Sequence, residues 1–239
     1  MNEIIIPFRD YSVKCTAVDE INVFEIIKSP LFINWLNSLE FTLHLETVVF
    51  QYCEKDQILN EYTLIKASTL VTTEGGKIPR FVILQGKMIS ILLKLKETGL
   101  TNKSFILLGE KPYIATGRCL NTSFQLHIGS NLFSKEKVSK YLFDLTGINI
   151  PFENIRNLSE EAKKTELFPL AGNSDANVTV YCADISLPLD KIMELEGKSD
   201  LLESHIIFHV FPESDVIKHM QDYVTISSYS IYRHLTKQL

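Results

Sequence analysis

Two β-type runs, "FVILQGKMISILLKLK" (81–96) and "SFILLGEKPYI" (104–114), stand either side of the turn "ETGLTNK" (97–103), and they restrict the chain to folds built on a sheet. Upstream, "FTLHLETVVFQY" and "EYTLIKASTLV" are rich in Thr, Val, Phe and Tyr with partial alternation, which predicts antiparallel strands. "TTEGGKIP" (72–79) reads as a turn, and the first twenty-five or so residues as extended or irregular. Downstream, "SFQLHIG" (123–129), "NVTVYCADISL" and "HIIFHVFP" read as strands.

Helical signals are fewer. "SPLFINWLNSLE" (29–40) has Ser29 as N-cap and Pro30 at the first helical position, with Leu31, Trp35 and Leu36 on one face. "LDKIMELEG" is helix-prone, and a terminal helix is predicted from about Ser214 to near Leu239. In "SKEKVSKYLFDLTGIN" (134–149), Ser134 can cap, Gly147 sits where a left-handed C-terminal residue belongs, and Val138, Tyr141, Leu142 and Leu145 fall at i, i+3, i+4 and i+7. Strands and helices alternate without regular βαβ spacing, so the expected class is α+β with a mixed sheet. A boundary near residue 85 divides a small β-rich N-terminal domain (1–84) from a main domain (85–239).

The 239 residues are 45% hydrophobic, enough for a full core. Net charge is −5, from 24 basic and 29 acidic residues without long runs, so there is no global footprint for nucleic acid or an anionic membrane. The cysteines Cys15, Cys53, Cys119 and Cys182 form no CxxC pair or zinc spacing and read as reduced buried thiols. The amino terminus fits neither a secretory signal nor a transit peptide, and the longest mainly apolar stretch, "MISILLKLK", is too short to span a bilayer. A cytoplasmic location is expected.

From "SPLFINWLNSL" through "GGKIPRFVILQGKMISILLKL", "YIATGR", "LTGIN", "LFPLAG" and "LEGK" to "HVFP", the ordered strings resemble the Nudix hydrolases, specifically the ADP-sugar pyrophosphatase branch found in plants and related eukaryotes. The resemblance covers most of the chain. It implies an N-terminal β-domain that mediates dimerisation, followed by an α-β-α sandwich that binds a nucleoside diphosphate linked to another group. It also implies a helix carrying the signature G-x5-E-x7-R-E-U-x-E-E-x-G-U, whose carboxylates hold divalent ions against the pyrophosphate.

Anchored on Gly147, the family's arginine corresponds to Lys140, the next glutamate to Tyr141, and the final glutamate pair to Asp144 and Leu145. The family's metal-facing strand glutamate becomes Gln125, and its later acidic segment becomes Asp175, Ala176 and Asn177. A late-loop base falls near Ser204, with Glu203 beside it. Two of the three helix carboxylates matched in this way are therefore gone, and Lys135, Lys137 and Lys140 oppose cation binding.

What the resemblance then implies is a Nudix-fold pseudoenzyme without a metal or other cofactor, acting as a binding or structural subunit. Asp144 and Glu203 are vestigial catalytic candidates, and Lys140, Gln125, Asp175 and Arg118 are ligand-binding candidates, with a nucleotide as the expected ligand. The alternative is an active Mg²⁺-dependent hydrolase of ADP-sugars or ADP-ribose that uses Asp144, Glu203, Asp175 and Glu136. Expected partners are a second copy or a larger assembly. Tyr141 is expected to fill core, and exposure of Phe143, off the apolar stripe, to mark a partner surface. His205 and His209, four apart on a strand, lie about 13 Å apart, too far to chelate one ion.

Overall fold

A computed structural model describes residues 3–18, 21–55, 61–99, 103–129, 134–163, 174–202 and 205–237. Two compact units emerge: Met1–Met88 with His127–Asn131 and Phe168–Asn177, and Ile89–Leu126 with Leu132–Leu167 and Val178–Leu239.

The first unit is built on a sheet ordered β1-β2-β3-β4-β5. β1 (Ile4–Phe8) and β2 (Tyr11–Ala17) form an antiparallel hairpin, and β2 then runs parallel to β3 (His44–Lys55). Between them lie α1 (Val23–Ile26) and α2 (Pro30–Ser38). β3, β4 (Tyr62–Thr73) and β5 (Gly76–Leu84) continue antiparallel. The predicted turn at 72–79 is confined to its middle, because Thr73 pairs with Gly76 and Lys77 to Pro79 belong to β5.

Ser29 caps α2 as predicted, accepting from Phe32 N at 3.2 Å. The helix buries Leu31, Phe32 and Leu36, with Trp35 partly buried against the same core, and Phe32 meets Phe50 edge-on at 5.4 Å. That packing joins Val13, Cys15, Leu45, Val48, Ile65 and Ala67 into one apolar core.

The run 81–96 breaks at Gln85 and Gly86, the latter at φ 69°, so β6 (Lys87–Glu97) is a separate strand. In the first unit Asp175 holds this break: its Oδ1 accepts from Gln85 N at 2.6 Å and Gly86 N at 3.1 Å.

The second sheet is ordered β10-β11-β6-β7-β12, with β8 on β7 and β9 on β6. Its other strands are β7 (Ser104–Tyr113), β8 (Arg118–Thr122), β9 (Phe124–Gly129), β10 (Ile155–Asn157), β11 (Asn177–Leu187) and β12 (Ile207–Pro212). Its helices are α3 (Lys135–Thr146), α4 (Leu158–Glu161), α5 (Leu189–Met193) and α6 (Tyr223–Thr236). Gly109 on β7 permits a close approach, since a Cβ there would lie 2.5 Å from Ile206 Cγ2.

The terminal helix starts later than predicted. A short 3-10 turn, Val216–Lys218, follows Asp215, and α6 begins only after Asp222, whose Oδ1 accepts from Val224 N at 2.9 Å and Thr225 N at 3.1 Å. Two cap signals lie seven residues apart, and the second starts the long helix. Among the described residues no helix is long and apolar enough to cross a membrane.

Candidate functional site

The helix α3 forms for the reasons its sequence gives, with one exchange at its start. Ser134 occupies the N-cap, but its hydroxyl does not accept from the helix. It hydrogen-bonds the Glu136 carboxylate, which also accepts from its own backbone N–H, and both bonds hold that carboxyl below its usual range. At the other end Gly147, at φ 72°, donates its N–H to Phe143 O at 2.8 Å. Val138, Leu142 and Leu145 are buried.

The polar face that remains is internally neutralised. Lys140 Nζ pairs with Asp144 Oδ2 in an i,i+4 contact, so the helix carboxylate already has a cation beside it. Phe143, on the outer side, is 50% exposed.

Tyr141 faces inward, half-buried, and its hydroxyl is pushed up to about 12, first by burial and then by the negative charge of Asp200. Asp200 is only 7% exposed. Its carboxylate accepts from Leu202 N at 2.9 Å and Ile206 N at 2.7 Å, and its own N–H donates to Ile206 O at 2.9 Å. Leu201 N reaches Leu145 O at 2.9 Å, fastening this loop to the end of α3. Glu203 and Ser204 lie outside the described residues.

A folded tyrosine that holds its proton more tightly than an unfolded one loses stability as pH rises through that window. Between the ordinary tyrosine value of 10.0 and about 12, the protein therefore loses stability through Tyr141. Spectrophotometric titration at 295 nm should show one fewer late-ionising tyrosine in Tyr141→Phe, whose stability falls less steeply over that range.

On β9, Gln125 donates through Nε2 to Asp222 Oδ1 at 3.1 Å and to Thr225 Oγ1 at 3.4 Å. The amide thus ties the strand to the N-cap of α6, where a glutamate would meet Asp222 as a like charge. Behind it runs a buried hydroxyl chain, Thr225 to Ser123 at 3.1 Å, Ser123 to Ser90 at 2.7 Å and Ser90 to Ser228 at 2.8 Å. Serine hydroxyls act as donor and acceptor at once, so the chain satisfies itself without a charge.

The remaining predicted residues are dispersed. Asp175 serves the first unit's backbone, and burial raises its carboxyl despite the bonds from Gln85 and Gly86. Arg118 is exposed on β8, opposite Tyr113. Among the described residues no three His, Cys, Asp or Glu side chains come together to hold a metal ion.

His209 lies on β12 with Nδ1 2.8 Å from Glu196 Oε1 and Nε2 3.2 Å from Glu110 Oε2. Carboxylates on opposite ring nitrogens do not converge on one point. Burial lowers the Lys111 ammonium on β7, and the charge of Asp222 at the start of α6 partly offsets this; nothing in their local spacing signals the coupling, because they lie 111 positions apart in the chain.

No protein-family model matches the sequence, and no curated protein matches it. Solved structures do. An ADP compounds hydrolase aligns with a TM-score of 0.53 at 12% identity, covering 84% of this chain and 97% of its own. An Ap4A hydrolase of C. elegans, in a binary complex, aligns with a TM-score of 0.43 at 14% identity, over 64% of this chain and 99% of its own. The α+β arrangement of strands and helices described above is the Nudix fold.

Proposed function

We propose that this chain is a Nudix-fold protein that has lost metal-dependent pyrophosphate hydrolysis and serves as a binding or structural subunit, with a nucleotide as its ligand. The observation that carries the reading is the state of α3. The helix carboxylate Asp144 is paired to Lys140, and Tyr141 sits half-buried where the resemblance places a glutamate. Hard divalent cations need several anionic oxygens, and a carboxylate engaged by an ammonium offers little to one. Gln125, committed to Asp222 and Thr225, supports the same conclusion from β9. Homodimerisation through the N-terminal unit, or membership of a larger assembly in its place, belongs to this reading as well.

One observation favours a second reading. The structural likeness is to a protein described as an ADP compounds hydrolase, which makes hydrolysis of an ADP derivative the competing function. Here Mg²⁺ would be the cofactor, with Asp144, Glu203, Asp175 and Glu136 as the candidate acids.

The two readings separate in an assay of AMP release from ADP-ribose and ADP-glucose across Mg²⁺ and Mn²⁺. No turnover above the protein-free rate is expected. Turnover at ordinary enzymatic rates, about 1 s⁻¹ or more, that Asp144→Asn abolishes would establish the hydrolase instead.

A further inference from the structure

β4 lies between β3 and β5, and its side chains alternate between the two faces of the first sheet. Ile65 and Ala67 point inward and join the core that α1 and α2 help to build. Lys66, Ser68 and Leu70 point the other way, and the strand register carries that outer face across the sheet. Lys66 lines up with Tyr52 and Ile83, Ser68 with Val49 and Phe81, and Leu70 stands in the row that ends at Ile5. An antiparallel sheet face left to water is ordinarily polar. This one is largely apolar, and none of Ile5, Val49, Tyr52, Leu70, Phe81 and Ile83 belongs to or packs against the first unit's core. Ile5 is 63% exposed, Tyr52 44% and Phe81 40%.

The edges of the same sheet are blunted. Pro7 on β1 and Pro79 on β5 each remove a backbone donor from an edge strand, and Ile83 O on β5 already accepts from Asp175 N at 3.2 Å. An added strand has little to pair with, so a partner for this sheet meets its face. The charges around that face balance: Lys14, Lys66 and Lys77 stand against Glu3, Glu46 and Glu54. Lys14 meets Glu3 and Lys77 meets Glu46, each at 2.7 Å, while Lys66 lies over the Tyr52 ring and Glu54 accepts from Tyr52 Oη. A nucleic acid, an anionic membrane or an acidic peptide finds no excess of positive charge there. An apolar centre with both signs around it is self-complementary, which is what a two-fold interface requires. Five strands about 4.8 Å apart and six residues of about 3.4 Å span roughly 500 Å² before side-chain relief is counted. A stable interface takes about 800 Å² of accessible surface from each partner, so the face is of the size a dimer needs.

We propose that the outer face of the first sheet is where two copies of this chain meet, stacked face to face about a two-fold axis with Leu70 and Phe81 of each copy buried at the centre. The proposal rests on the homodimer named in the reading above and assigns its surface. Stacked sheets sit about 10 Å apart, so the two sets of side chains interdigitate and bury the area that a single copy leaves wet.

Sedimentation of the full chain at micromolar concentration gives a dimer. Phe81→Glu places a carboxylate in the buried centre from both copies and weakens the dimer at least about thirtyfold. Phe81→Leu keeps the dimer, and Tyr223→Glu, at an exposed aromatic of the second unit, leaves it unchanged. Hydroxyl-radical footprinting of the unmodified protein needs no variant to fold: Phe81 and Tyr52 become protected as concentration rises through the dissociation constant, while Tyr223 does not. A dimer that persists in Phe81→Glu, with Phe81 and Tyr52 equally reactive at every concentration, overturns this surface and leaves the homodimer standing. A chain that sediments as a monomer overturns both, and leaves the loss of hydrolysis untouched.

Discussion

Glu213→Leu lowers the free energy of unfolding by about 3–5 kcal/mol, the cost of leaving a buried charge without its partner. The charge in question is Lys94, on β6, whose Nζ lies 3.1 Å from Glu213 Oε2 with the two side chains only 12% and 16% exposed. Glu213 also accepts from Tyr232 Oη at 3.2 Å and faces Arg233 Nη1 at 3.6 Å, so one carboxylate fastens α6 to the sheet at several points. Burial pulls the Lys94 ammonium down, but Tyr232 and Glu213 outweigh it and the value is raised overall. A raised lysine contributes its stability fully below its unfolded value of 10.5 and loses it as pH climbs past its folded one. The contribution is therefore intact at neutral pH. Because two charges are desolvated together, Lys94→Met/Glu213→Leu should recover most of the loss in denaturant unfolding. A double variant as unstable as Glu213→Leu would show that shape, not charge, is what Glu213 supplies.

The second large effect falls on the loop beside the candidate site. Asp200→Ala should cost about 2–4 kcal/mol, because it strands two backbone donors, Leu202 N and Ile206 N, where water reaches them poorly. The same change removes the negative charge beside Tyr141. Its ionisation should move down yet stay above the ordinary tyrosine value, since burial is the larger of its two causes. Asp200→Asn should show that shift with a smaller stability loss, its amide oxygen still accepting one bond. A loss under about 1 kcal/mol in Asp200→Ala, within the range of a single ordinary hydrogen bond, would mean that the loop is held by other contacts.

Much of the fold was legible because its signals are local. Ser29 and Pro30 open α2, and Gly147 closes α3 in the left-handed conformation that its place in the sequence foretold. Strand identity at 104–113, 124–129 and 177–187 followed from residue type. What escaped the sequence depends on partners far along the chain. The parallel pairing of β2 with β3 is reached through the α1–α2 crossover, not through a turn. Phe32 joins the core beside Trp35 because Phe50 on β3 stands opposite it. Asp215 and Asp222 are both good caps by composition, and only Gln125 and Thr225, packed against the latter, single out where the long helix begins.

The candidate site shows the same division. That Asp144 stands among lysines on α3 was readable directly, but its pairing with Lys140 and the engagement of Gln125 by Asp222 were not. Ser134 illustrates how a correct local signal changes use: Glu136, two residues on, takes its hydroxyl. Asp175, 90 residues from Gln85, holds a break between two strands that no spacing rule connects to it.

The measurement closest to the central claim is a Mn²⁺ titration of the protein and of Asp144→Asn, read by the paramagnetic signal of free Mn²⁺. With Asp144 held by Lys140, no saturable site tighter than about 1 mM is expected, and the two titrations should superimpose. A site of about 0.1 mM or tighter that disappears in Asp144→Asn would mean that the helix still holds a catalytic cation, and would contradict the account.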